Sequence, residues 1–250
     1  MIDMALVLLA PAFVFGAASV AFVWAGRSLP AGARRYGYAV GAATGVMALS
    51  YLIMGVAHVT VGAEVDQIRF LGYTGMWFFL ILTISAIAGA GRQLTLLLLG
   101  VVLARLWITL GGWFLDGMLA TLATLATFAA LAVGISLLFG PFSRFAGERA
   151  PERALLFEKL KYLIVLAWIG LVVTGLVAEG SLGLTDDFVG QMAVMYVEAI
   201  LLIGFGGIVV RSADALDAAS STSPFSLARN EGAASSDATD ASATVVESSD

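Results

Sequence analysis

Long apolar runs separated by short polar junctions fill the chain as far as Val210. Seven of them, about Met4–Gly26, Tyr36–Val61, Arg69–Ala90, Leu94–Phe114, Met118–Gly140, Ala154–Ala178 and Phe188–Val210, each approach the roughly 20 residues a helix needs to cross a bilayer core. The pattern predicts an all-α membrane protein, a bundle of seven transmembrane helices over residues 1–211. The short connections make successive helices antiparallel neighbours. Only Gly91-Arg92-Gln93 separates the third span from the fourth. The first span reads as a membrane helix and not a signal peptide, because it has no basic leader and is too long for one. After Pro11 no proline is expected inside a span. Gly41 and Gly45, the Gly204-Phe205-Gly206-Gly207 run and the small residues from Ala120 to Ala126 suit close helix packing or a homo-oligomer interface.

From Ser212 the pattern stops. Residues 212–250 are Ser, Ala, Asp and Thr with one aromatic, Phe225, too little apolar surface to fold alone. A solvated acidic cytoplasmic tail is expected, with a docking peptide for a cytoplasmic partner as the other reading.

Composition sharpens this. Hydrophobic residues make up 60% of the chain and charged ones 12%, against roughly 45–50% and about 25% in soluble domains. The mean hydropathy is +0.96. With no cysteine and one histidine, His58, disulfides, thiolate chemistry and multi-histidine metal sites are excluded. No nucleophile–base pair is visible, so an enzyme is disfavoured, and no nucleic-acid partner is expected. Of thirteen basic residues only Lys159 and Lys161 are lysine, a bias that looks like adaptation to high salt.

Charge placement sets the orientation. Arg27, Arg34, Arg35, Arg92, Arg144, Arg149, Arg153, Arg211, Arg229 and both lysines fall on one side. Asp3, Glu64, Asp66, Asp116, Glu179, Asp186 and Asp187 fall on the other, with Arg69. The basic side is read as cytoplasmic, which puts the N-terminus outside, the C-terminus inside and the chain in the cell membrane.

Ionisable groups within spans are functional candidates. Glu198 lies about eleven residues into the last span, at ~15 Å of depth. An isolated carboxylate there calls for a facing cation, and the sequence offers Arg69, at the start of the third span, or Arg105, inside the fourth. A structural ion pair and a proton or anion path are both open for this pair. His58, near the end of the second span, reads as a satisfied histidine or a proton carrier.

The order of several short motifs carries a resemblance. The second span holds Arg35-Tyr36-Gly37-Tyr38-Ala39-Val40 and Ser50-Tyr51-Leu52-Ile53-Met54-Gly55. The fifth ends in Leu137-Leu138-Phe139-Gly140-Pro141-Phe142-Ser143, the sixth in Ala178-Glu179-Gly180, and the seventh in Ile203-Gly204-Phe205-Gly206 before Arg211-Ser212. From Arg27 to Ser212 the chain resembles the microbial rhodopsin family, in its haloarchaeal, bacteriorhodopsin-like branch.

That family's last helix carries D-x-x-x-K-x-G-F-G, its lysine binding retinal as a Schiff base. The corresponding stretch here runs from Glu198 through Leu202 to Gly206. The resemblance therefore implies that Glu198 keeps the counter-ion carboxylate and that Leu202 replaces the lysine, leaving no amine for retinal attachment. Against the family's R-Y-x-D-W-x-x-T-T-P, the third span reads Arg69-Phe70-Leu71-Gly72-Tyr73-Thr74-Gly75-Met76-Trp77-Phe78. Gly72 then stands at the proton acceptor, Phe78 at the proline and Thr83 at the proton donor. The resemblance also places Tyr51, Arg69 and Glu198 together as a retained polar cluster beneath the old chromophore site.

Three functions follow as expectations. One is an opsin-like binding or regulatory protein without covalent chromophore, whose partner is another rhodopsin or an enzyme of carotenoid or retinal synthesis. Another is a light-independent ion or proton conductor using Arg69, Glu198 and Arg105. The last holds retinal or a carotenoid noncovalently in a pocket lined by Tyr73, Trp77 and Trp168, aromatics that also suit plain bundle core.

Overall fold

The structure, a computed structural model, describes residues 4–61, 66–178 and 182–217. Asp3, Glu64, Glu179, Gly180, Arg229 and the chain after residue 217 lie outside the described residues, as do the side chains of Asp66 and Asp187.

Seven helices are long and apolar enough to span a membrane. They are α1 (Met4–Ser28), α2 (Ala31–Val61), α3 (Asp66–Ala88), α4 (Arg92–Gly112), α5 (Gly117–Leu137), α7 (Pro151–Val177) and α8 (Asp187–Arg211). Two short helices, α6 (Ser143–Gly147) and α9 (Ala213–Asp217), follow the fifth and last spans. The chain is a multi-pass membrane protein. Its bundle is sequential: α1 packs on α2, α2 on α3, α4 on α5 and α7 on α8, and α8 returns against α1 and α2. The third helix is the most buried of the seven and α5 the least.

Small residues make the tightest contact. A Cβ on Gly41 would come within 2.6 Å of Val23 Cγ2, and the Ser19 hydroxyl of α1 donates to Gly41 O at 2.8 Å. Gly41 and Gly45 thus serve α1–α2 packing inside the bundle.

The fifth span corrects the expectation about prolines. Pro141 lies inside it, because the helix continues past Leu137 through a π-turn, Leu138–Phe142, into α6. Proline has no N–H and its ring crowds the carbonyl four residues back. The wider π-turn absorbs this, and the Ser143 hydroxyl donates to Leu138 O at 2.9 Å. Residues 213–217, which the sequence assigns to the tail, instead form α9, packed against α2 and α7 with Leu216 buried.

The third–fourth junction is built by basic side chains. α3 ends at Gly89, whose φ of 71° is left-handed. Arg149 Nη2 donates to Gly89 O at 3.1 Å, and Arg153 donates from Nε to Ile87 O at 2.6 Å and from Nη2 to Ala86 O at 2.5 Å. These guanidinium groups satisfy the carbonyls that a helix end leaves open.

Candidate functional site

Residues four apart on a helix share a face, as do residues seven apart. Arg69 and Tyr73 therefore project together from α3, and Gln191 and Glu198 from α8. The two faces meet in two rungs. Arg69 Nη2 donates to Gln191 Oε1, and Tyr73 Oη donates to Glu198 Oε1. Tyr51 of α2 completes the group by donating to Glu198 Oε2 at 2.6 Å.

Glu198 is 1% exposed, and its two carboxylate oxygens each receive a phenolic hydroxyl. Hydrogen bonds of this kind make a buried carboxyl group tolerable. The sequence expects a facing cation; phenols fill the direct contacts instead. Arg69 sits beside them, its guanidinium carbon 5.8 Å from the Tyr51 ring centroid. Arg105 does not join the cluster. Its guanidinium carbon lies 6.0 Å from the Trp168 ring centroid.

Gly72 is pressed against α2. A Cβ there would stand 2.5 Å from Ser50 Oγ and 2.6 Å from Ser50 Cβ, while the Ser50 hydroxyl donates to Ile68 O at 3.0 Å. The position has no room for a carboxylate side chain. Leu202 is completely buried, as is Phe205 three residues on. Thr83 is buried too, and its hydroxyl has no hydrogen-bond partner among the described residues. His58 lies half-buried in the last turn of α2. Lys159 is exposed. Lys161 is 3% exposed, and its ammonium group is held by Glu158 at 2.7 Å and the Ser143 hydroxyl at 3.0 Å.

Trp77 and Trp168 meet across α3 and α7 with centroids 5.6 Å apart and ring planes tilted by 46°. Beside them a cavity of about 740 Å3 runs among α3, α4, α7 and the start of α8. Tyr73, Trp77, Arg69 and Arg105 line it, with Gln191 and Asp186 toward the end where α8 begins. A neighbouring cavity of about 260 Å3, between α4, α5 and α7, shares Arg105 and Thr109 with it. Trp168 lines neither cavity directly; its ring packs behind the wall, over Gly134 of α5. No lysine is among the lining residues. Among the described residues no group of three or more His, Cys, Asp or Glu side chains could hold a metal ion.

No family model matches the chain. Bacteriorhodopsin of Haloterrigena sp. (strain arg-4) is 30% identical over 188 residues, covering 70% of this chain and 73% of the relative. The chain belongs to the microbial rhodopsin family. Sensory rhodopsin-2 of Natronomonas pharaonis is a second relative, 25% identical over 207 residues, 80% of this chain and 85% of its own. The fold is that of the solved microbial rhodopsins: the thermophilic rhodopsin from Rubrobacter xylanophilus superposes with a TM-score of 0.80 at 20% identity, over 88% of this chain and 100% of that one.

Within this microbial rhodopsin bundle, sequence reasoning missed Gln191 and Ser50 and gave Tyr73 only a pocket role. A glutamine two turns before a buried glutamate was the available signal for Gln191. Ser50 carried none, because its importance lies in what it leaves no room for.

Proposed function

We propose that this microbial rhodopsin-family protein works without a covalently bound retinal, as a binding or regulatory component of the cell membrane. The observation that carries the reading is the condition of the two positions where the family's chemistry would occur. At the position that the resemblance assigns to the Schiff-base lysine stands Leu202, fully buried. At the proton-acceptor position stands Gly72, with Ser50 filling the space a carboxylate would need. The chain's lysines offer no replacement: Lys159 is exposed, and Lys161 is engaged by Glu158 and Ser143.

The remaining polar cluster acts in this reading as a brace, tying α2, α3 and α8 through Glu198. Conduction is the weaker reading. Beyond Trp77, α3 buries Leu80, Ile81, Ile84 and Ile87 with only the hydroxyls of Thr83 and Ser85 among them. The described residues of α3 there include no ionisable side chain to carry a proton. The cavity beside Trp77 favours a second reading, noncovalent binding of retinal or a carotenoid. An absorbance band that survives borohydride and is extracted by mild solvent identifies that case. A rhodopsin or a carotenoid-pathway enzyme is the proposed kind of partner.

The test is expression with retinal, followed by a visible spectrum of the unmodified protein and of Leu202→Lys. The unmodified protein is expected to show no hydroxylamine-sensitive band. If it shows one, the reading is wrong.

A further inference from the structure

Arg105 is a charge within the fourth span that the Glu198 brace does not use. It lies in the middle of α4, half-buried, and its Nε is a buried donor with no partner among the described residues. Its side chain lines both cavities. Among the described residues lining them Asp186 is the one carboxylate, and its Oδ1 accepts from Val189 N to cap α8. A guanidinium among apolar walls is unfavourable unless an anion meets it.

We propose that the two joined cavities form a binding site for an amphiphile with a carboxylate head and a long apolar chain, the head held by Arg105. The assignment rests on the reading that no covalent chromophore occupies the bundle.

The donor inventory selects the head. Thr109 Oγ1 donates to Arg105 O at 2.8 Å and Thr124 Oγ1 to Ala120 O at 3.0 Å. Thr127 Oγ1 lies 3.4 Å from Thr109 Oγ1, and because the Thr109 proton is committed, Thr127 is the donor of that pair. The hydroxyls around Arg105 therefore have no free proton for an anion. Arg105 Nε and the Trp168 indole N–H remain as buried donors without a partner among the described residues, while Arg69, the other guanidinium lining the larger cavity, donates to Gln191. The single fork at Arg105 matches a carboxylate bidentately. A phosphate ester would leave oxygens unmet.

The walls select the chain. Trp77, Val102, Leu106, Leu131 and Leu171 give an apolar stretch of wall next to Arg105, while Arg69, Tyr73, Gln191 and Asp186 make the rest of the larger cavity polar. The larger cavity, about 740 Å3, lies within the roughly 300–1,000 Å3 typical of small-molecule sites.

Access comes from the bilayer. α5 leans on α4 and meets α7 where Gly134 backs onto the Trp168 ring, a Cβ there lying 3.3 Å from Trp168 Cη2. From Leu131 to Thr124 the smaller cavity lies between the two helices. Phe128 and Leu176, on its two sides, are 43% and 46% exposed, so a ligand dissolved in lipid reaches Arg105 without crossing water.

The test uses the full chain in nanodiscs of neutral lipid, with radiolabelled palmitate and hexadecanol as probes. Palmitate is expected to bind about tenfold or more tightly than hexadecanol, and Arg105→Gln to abolish that difference while leaving hexadecanol unchanged. Leu131→Trp, which fills the cavity but keeps the charge, is expected to exclude both probes. Equal binding of the two probes overturns the proposal. So does palmitate binding that survives both substitutions. Displacement of palmitate by equimolar acetate would make this a small-anion site, and displacement by phosphatidylglycerol a lipid-headgroup site; either also overturns it. A Schiff-base band with retinal would defeat the underlying reading whatever palmitate does. Failure of palmitate without such a band defeats only the carboxylate site.

Discussion

Gly72 of α3 meets Ser50 of α2 so closely that a Cβ at position 72 would lie 2.5 Å from the serine hydroxyl oxygen. The two helices meet closely at this point because one side chain is absent. Gly72→Ala is expected to destabilise the protein by about 1–3 kcal/mol, the usual cost of overpacking. Ser50→Gly removes both clashing atoms, so the double variant should be more stable than the sum of the two single effects. Thermal melting of the four proteins in detergent measures the coupling; strict additivity would mean that the contact does not limit position 72.

The brace at Glu198 predicts a second coupling. Tyr51→Phe and Tyr73→Phe each leave one buried carboxylate oxygen without its donor. Each is expected to cost about 1–3 kcal/mol, the range for stranding a buried polar group. In a Glu198→Leu background the same tyrosine substitutions should matter much less. If Tyr73→Phe costs as much there as in the parent, the hydroxyl is not acting through Glu198.

At the α3–α4 junction, Gly89→Ala places a side chain at a φ of 71° and against the Arg149 guanidinium. The backbone strain alone is about 1–2 kcal/mol. Arg153→Met removes the guanidinium from the carbonyls of Ile87 and Ala86 without strain, Ala86 O keeping only the Gly89 N–H. Hydrogen exchange should then quicken in the last turn of α3 for both variants, and the Tyr51–Glu198 region should keep its protection. Uniform loss of protection across α3 would contradict a local capping role.

Proteoliposomes test the weaker reading. With no ionisable side chain on α3 beyond Trp77, only the buried hydroxyls of Thr83 and Ser85 among Leu80, Ile81, Ile84 and Ile87, a pH step should dissipate no faster than in empty vesicles, in darkness or light. Glu198→Gln should change nothing. Flux that Glu198→Gln abolishes would restore conduction as the function.

The seven spans were legible because apolar length is a local property of the chain. Pro141 was not: its place inside a continuing helix depends on the π-turn and on Ser143, a geometry that no periodicity announces. Glu198 could be singled out by its depth, and the resemblance placed Tyr51 and Arg69 beside it. Which groups touch its oxygens depends on the relative rotation of α2, α3 and α8, so the sequence offers Arg69 as the facing cation but does not show that Tyr51 and Tyr73 take the direct contacts. Arg105 shows the same limit. Its position in the fourth span was plain, but only packing separates it from Glu198 and turns it toward the cavities.

The central claim is that no amine of this protein reaches retinal. The most direct measurement is the intact mass after incubation with retinal and borohydride reduction, which makes any Schiff base permanent. An unchanged mass for the parent is predicted, with one retinyl increment for Leu202→Lys. A retinyl increment on the parent, mapped to Lys159 or Lys161, would contradict the account.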